Sequence, residues 1–129
     1  MESDVLVVDD SAAIRKILTR VLRQTGMAIQ TIHEAGDGQE ALALMAQHRI
    51  DLVLSDINMP KMDGLQLLAS LKASPQWRNI PVVMITTEGG ETKVAEAVRL
   101  GAAGYVRKPF TADQIKEKLV GILEPAATL

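Results

Sequence analysis

Short apolar runs recur along this chain, and each stops at a polar residue. Val5-Leu6-Val7-Val8 stops at Asp9-Asp10, and Leu52-Val53-Leu54 passes through Ser55 to Asp56. Val82-Val83-Met84-Ile85 stops at Thr86, and Gly104-Tyr105-Val106-Arg107 stops at Lys108. The runs do not alternate apolar with polar residues, which predicts parallel strands buried on both faces. Ligands of an open α/β sheet bind just beyond the carboxyl ends of its strands. Three carboxylates, a hydroxyl and an ammonium are therefore expected along one rim.

Between the runs the apolar spacing changes to that of helices. Ile14, Ile17, Leu18, Val21 and Leu22 fall on one helical face, with Ser11 placed to cap its start and Gly26 to follow its end. A further strand is predicted near residues 29–33. Asp37 and Glu40 form an Asp version of a capping box ahead of Ala41-Leu42-Ala43-Leu44-Met45. Asp63 is placed to cap a helix over residues 65–71, and the polar stretch 73–80 with Pro75 reads as a loop. Gly89-Gly90 precedes a helix carrying Val94, Ala97 and Val98, with Gly101 after it. Thr111 and Gln114 form a capping box for Ile115, Leu119 and Ile122, and Glu124-Pro125 closes that helix. Strand and helix alternate in five units with short crossovers, so the predicted class is α/β: one parallel sheet with helices on both faces. No repeat, low-complexity segment or internal linker interrupts residues 1–129, which read as one domain. Residues 125–129 read as a frayed tail or the stub of a linker.

Composition narrows the chemistry. With no cysteine among 129 residues, disulfides, thiolate catalysis and Cys-based metal sites are excluded. Sixteen acidic and 14 basic residues give a net charge of −2, which does not suggest a nucleic-acid partner. No apolar run approaches membrane-spanning length, and Met1-Glu2-Ser3-Asp4 is unlike a secretory signal, so a cytoplasmic protein is expected.

Asp9, Asp10 and Asp56 would crowd three negative charges together, an arrangement that is unfavourable unless a cation joins it. Carboxylate oxygens with retained waters suit a hard divalent ion, Mg²⁺ first among them. With Lys108 beside it, such a site can receive a phosphoryl group, and an Asp carboxylate can act as the nucleophile toward phosphorus. Thr86 is placed to donate a hydrogen bond to the transferred group. Taken one at a time, each feature has a plainer reading: Asp9-Asp10 as a turn pair, Asp56 as a strand-end cap, Lys108 as a solvated lysine. Tyr105 reads equally as packing. His33, His48, Trp77 and the methionines read as surface or core residues.

Asp9-Asp10, Asp56-Ile57-Asn58-Met59-Pro60, Asp63-Gly64, Ile85-Thr86-Thr87 and Lys108-Pro109-Phe110 together resemble the receiver domain of two-component response regulators, over residues 4–123. The resemblance implies a flavodoxin-like fold of five parallel strands in the order 2-1-3-4-5, for which members of this family are a type example. It implies that Asp56 accepts a phosphoryl group from a histidine kinase. Asp10 would bind Mg²⁺ directly, Asp9 largely through water, and Asn58 through its backbone carbonyl. Thr86 and Lys108 would contact the phosphoryl group, and Lys108–Pro109 would be a cis peptide. Thr86 and Tyr105 would form the switch, with the output surface over residues 94–123 facing a downstream protein. The implied role is a switch rather than an enzyme, beyond self-phosphorylation and autodephosphorylation, acting as a monomer or a weak phosphorylation-dependent dimer.

Asn58 and Glu88, two residues past Asp56 and Thr86, and the run Ser11-Ala12-Ala13-Ile14-Arg15-Lys16-Ile17-Leu18 lean toward the stand-alone chemotaxis branch. Ser11 departs from the larger residue common there. A receiver cut from a longer regulator or hybrid kinase fits the same motifs, as does one kept only as a binding module, although every phosphotransfer position is intact. A Mg²⁺-dependent phosphohydrolase of the haloacid-dehalogenase type would need Asp-x-Asp after the first strand, where this chain has Asp9-Asp10-Ser11. A nucleotide or flavin binder would want glycine in the turn after that strand, and there is none.

Overall fold

A computed structural model of the chain describes residues 2–87 and 91–123. The elements alternate as predicted: β1 (Ser3–Val8), α1 (Ala12–Gln24), β2 (Ile29–Ala35), α2 (Gly38–Gln47), β3 (Leu52–Asp56), α3 (Gly64–Ala73), β4 (Val82–Thr86), α4 (Glu91–Leu100), β5 (Gly104–Arg107) and α5 (Ala112–Leu123). All strand pairings are parallel, and the sheet order is β2-β1-β3-β4-β5.

Successive strand residues point to opposite faces of the sheet, so each strand feeds two cores. Val5, Val7, Leu52, Leu54, Val83 and Ile85 pack under α1 and α5 through Leu18, Leu22, Ile115 and Leu119. Leu6, Val8, Val53, Val82 and Met84 pack under α2, α3 and α4 through Met45, Leu67, Leu71 and Ala97. β3 and β4 are buried at every position because helices cover both faces.

The edge strand β5 departs from the expectation of burial on both faces: only Val106 is buried, while Tyr105 and Arg107 are exposed. A sheet edge has a neighbouring strand on one side only, and here α4 leaves the Tyr105 side open. Two residues of the predicted apolar helical faces are likewise exposed. Ile17 lines a shallow groove with Ile14, Pro109 and Phe110, and Val98 stands on the outer side of α4.

Local signals hold the helix starts. The Ser11 Oγ accepts the Ile14 amide, and Asp63 with Gln66 forms a reciprocal capping box, as do Thr111 and Gln114. At α2 the Asp37 side chain accepts the Glu40 amide. The Glu40 carboxylate instead lies beside Gly36, so the return half of that predicted box is not among the contacts of the described residues. Gly26 and Gly101 take positive φ, 75° and 105°, just past α1 and α4, the conformation that glycine adopts without strain. The predicted Gly89-Gly90 break, Glu88, and the Glu124-Pro125 stop with its tail lie outside the described residues.

Candidate phosphoryl and metal site

The carboxyl ends of β1 and β3 bring the acidic residues together. Asp9 follows β1, Asp56 ends β3, and ligand oxygens of Asp9, Asp10 and Asp56 all lie within 4.8 Å of one another. Asp9 and Asp56 are buried and Asp10 is exposed, so the cluster is a recess with one open side. Lys108, just past β5, reaches into it: its Nζ is 3.1 Å from Asp9 Oδ2 and 3.6 Å from Asp56 Oδ2.

The two buried carboxylates, those of Asp9 and Asp56, are each held from behind. Asp9 Oδ1 accepts the Ser11 amide at 2.9 Å, and the Asp9 amide donates to the Ala35 carbonyl on β2. Asp56 Oδ1 accepts the Ile57 amide at 2.8 Å. Burial pushes the Asp56 carboxyl above its ordinary pKa. Lys108 opposes that shift, and the charges of Asp9 and Asp10 add to it. Three carboxylates against one ammonium leave the recess with an excess of negative charge and oxygen ligands facing one another, which fits a hard divalent cation.

The remaining predicted residues surround this recess. Thr86 ends β4 and is buried, and its hydroxyl donates to the Thr87 carbonyl at 3.2 Å. The backbone of Lys108 donates to the Thr86 carbonyl at 2.7 Å, tying the two strand ends together. Lys108–Pro109 is cis. Asn58 is exposed just past β3, and its side-chain oxygen is taken by Lys93. Tyr105 lies opposite Met84 in the β4–β5 register, on the same sheet face as Thr86. It is 39% exposed, with Lys118 Nζ 5.7 Å from its ring centroid, so it is not a core residue. His33 and His48 stack on each other, and Trp77 packs at the edge of the core under α2 and α3.

Two further residues support the site through contacts between segments distant in the sequence. Arg15 donates to the Asp9 carbonyl at 2.6 Å and to Glu34 at 3.0 Å, bracing the acidic turn against β2. That contact depends on β2 lying beside β1. Gly64 donates to the Ile57 carbonyl, and a Cβ on it would come within 2.2 Å of the Asp56 carbonyl oxygen. The Asp63-Gly64 pair is visible in the sequence, but the reason for the glycine is this close approach.

The arrangement agrees with comparisons to known proteins. A family model described as the response regulator receiver domain matches residues 5–120. The chain is 40% identical over 120 residues to the chemotaxis protein CheY-3 of Vibrio cholerae serotype O1, spanning 93% of this chain and 91% of that protein. It is 38% identical over 120 residues to the chemotaxis protein CheY of Pseudomonas aeruginosa, spanning 93% and 95%. Among solved structures, the chemotaxis response regulator CheY4 of Vibrio cholerae superposes with a TM-score of 0.82 at 34% identity, covering 92% of this chain and 97% of that one. The receiver domain of AraT, a response regulator from Geobacillus stearothermophilus, superposes at 0.83 with 31% identity, covering 99% and 98%.

The chain belongs to the response regulator receiver domain family, and within it resembles the CheY type. Receiver domains of this kind are phosphorylation-activated signalling switches rather than classical enzymes. They bind Mg²⁺ at an acidic pocket and work between histidine kinases and downstream targets. Among the described residues, no helix is long and apolar enough to cross a membrane.

Proposed function

We propose that residues 1–129 act as one receiver domain in which Asp56 accepts a phosphoryl group from the phosphohistidine of a partner kinase. The observation that carries this reading is the position of Asp56: it is buried, but Lys108 and two further carboxylates surround it at the open end of the sheet. An Asp56 carboxylate oxygen attacks phosphorus, and the phosphorus–nitrogen bond to the imidazole breaks. The imidazole leaves with the electron pair and is protonated by solvent. Lys108 moves from its carboxylate partners to a phosphoryl oxygen, and the Thr86 hydroxyl leaves the Thr87 carbonyl to donate to another. Asp9, Asp10, Asp56 and the Asn58 backbone carbonyl would hold Mg²⁺, which when bound supplies positive charge to the phosphoryl oxygens.

The rotation of Thr86 is the differential contact that a switch requires. Tyr105 lies on the same sheet face and is exposed, so space vacated by the hydroxyl can admit its ring. Output then passes through the face built from residues 94–123 to a downstream protein. The likeness to chemotaxis proteins supports a stand-alone, cytoplasmic, chemotaxis-type role. The phosphoacceptor assignment is tested by intact-mass measurement after incubation with acetyl phosphate and Mg²⁺. The wild type should gain one phosphoryl group and Asp56→Asn none. Labelling of the Asn variant at the wild-type rate would refute the assignment.

A further inference from the structure

Asp9 and Asp56 each have a carboxylate oxygen fixed by a backbone amide, that of Ser11 and of Ile57 respectively. Asp10 has no such support. It is exposed, and its side chain makes no hydrogen bond or ion pair among the described residues. With no contact of its own, its carboxylate is placed by the peptide plane that joins it to Asp9. Arg15 holds that plane. Its Nη1 donates to the Asp9 carbonyl at 2.6 Å, its Nε donates to Glu34 Oε1 at 3.0 Å, and its side chain is only 19% exposed. A guanidinium presents its donors in a rigid planar fork, so the two bonds together tie the acidic turn to the end of β2. Glu34 offsets the charge of the guanidinium, so Arg15 acts on the recess through geometry more than through its field.

We propose that Arg15 is a positioning residue that sets the preference of the recess for Mg²⁺ over Ca²⁺, by holding Asp10 in register with Asp9 and Asp56. The inference rests on the reading of this recess as a metal site and is independent of the phosphoacceptor assignment. Mg²⁺ demands near-ideal octahedral geometry, with oxygens at about 2.0–2.1 Å. Ca²⁺ takes roughly six to eight oxygens at about 2.3–2.6 Å in flexible geometry. The ligand oxygens of the three carboxylates already lie within 4.8 Å of one another, and the one free to swing is that of Asp10. Releasing the Asp9 carbonyl lets the Asp9–Asp10 peptide tilt and carries the Asp10 carboxylate out of register. A recess loosened in this way penalises the small, exacting ion. It leaves the larger ion nearly untouched, because the carboxylate charges are unchanged.

Titration calorimetry of the full chain with MgCl₂ and, separately, with CaCl₂ tests this. Arg15→Met loses both bonds. It should weaken Mg²⁺ binding about 10-fold, the scale on which residues that orient metal ligands act, and Ca²⁺ binding by less than about 3-fold. Arg15→Lys keeps the charge but not the fork, and should lower the ratio of Mg²⁺ to Ca²⁺ affinity as Met does. Glu34→Ala, at an exposed position of β2, removes the second anchor and should lower the ratio by a smaller factor. If Arg15→Met does not fold by circular dichroism, Arg15→Lys and Glu34→Ala carry the same test. Equal weakening of both ions overturns the proposal, because loss of folded structure or of charge acts on two divalent cations alike. An unchanged ratio overturns it as well. So does a ratio restored to the wild-type value by Arg15→Lys, which would leave charge alone as the cause. A wild type that binds neither ion would refute the metal reading itself, and this inference with it.

Discussion

Replacing Asp56 with Asn should stabilise the metal-free protein. The ionised carboxylate faces Asp9 and Asp10 oxygens within 4.8 Å, and two unit charges at that distance repel by about 3.5 kcal/mol at an effective dielectric of about 20. Lys108 at 3.6 Å returns about 4.6 kcal/mol of attraction on the same scale. Repulsion from two carboxylates therefore exceeds attraction from one ammonium by about 2 kcal/mol, before the penalty of burying the charge is added. Asp10 is open to water, which screens its share, so the expected gain is about 1–2 kcal/mol. The Asn side chain still accepts the Ile57 amide, and Lys108 keeps Asp9 at 3.1 Å, so neither partner is stranded.

In urea with a chelator, the midpoint should rise by roughly 0.5–1 M. The pH dependence has a definite sign. The folded-state pKa of Asp56 is raised, so the folded protein holds its proton to higher pH than the unfolded chain does. Wild-type stability from this group is therefore lost as pH rises from the ordinary carboxylate pKa through the raised one. The advantage of Asn should be absent in strong acid and should grow as pH rises through the raised pKa of Asp56. Mg²⁺ should narrow or reverse it, because ligand at about 100 times Kd stabilises the wild type by about 2.7 kcal/mol. A metal-free Asn variant no more stable than wild type at neutral pH would show that Lys108 already balances the cluster, and would refute the reasoning.

Three further outcomes are expected. Lys108→Met should bind Mg²⁺ more tightly by titration calorimetry, because a competing cation is removed from Asp9 and Asp56, but it should be phosphorylated far more slowly by acetyl phosphate. Weaker Mg²⁺ binding would mean that Lys108 organises the carboxylates rather than competing for them. Gly64→Ala should lose about 3 kcal/mol of stability in urea melts, because its Cβ meets the backbone oxygen of Asp56 and neither chain segment can yield cheaply. Thr86→Ala should remain phosphorylatable while amide shifts around Tyr105 on adding beryllofluoride disappear. If those shifts persist, the hydroxyl does not couple the site to that face.

Much of this protein can be read from the order of its residues. The apolar runs and helical spacings specify five strands and five helices, because burial on two sheet faces and on one helix face imposes different periodicities. The caps at Ser11, Asp63 and Thr111 are local hydrogen bonds and so are legible locally. The rim of Asp9, Asp10, Asp56, Thr86 and Lys108 follows from one rule, that parallel strands end on the same side. Other features exist only once distant segments meet. Edge exposure of Tyr105 and Arg107 depends on what covers β5 rather than on their own run, and Val98 is exposed because only part of its helix face reaches the sheet. The need for glycine at 64 comes from the β3 backbone passing against it, and the Arg15 brace comes from β2 lying beside β1. The raised pKa of Asp56 is likewise a tertiary property, because burial and the neighbouring charges are supplied by strands far apart in the chain.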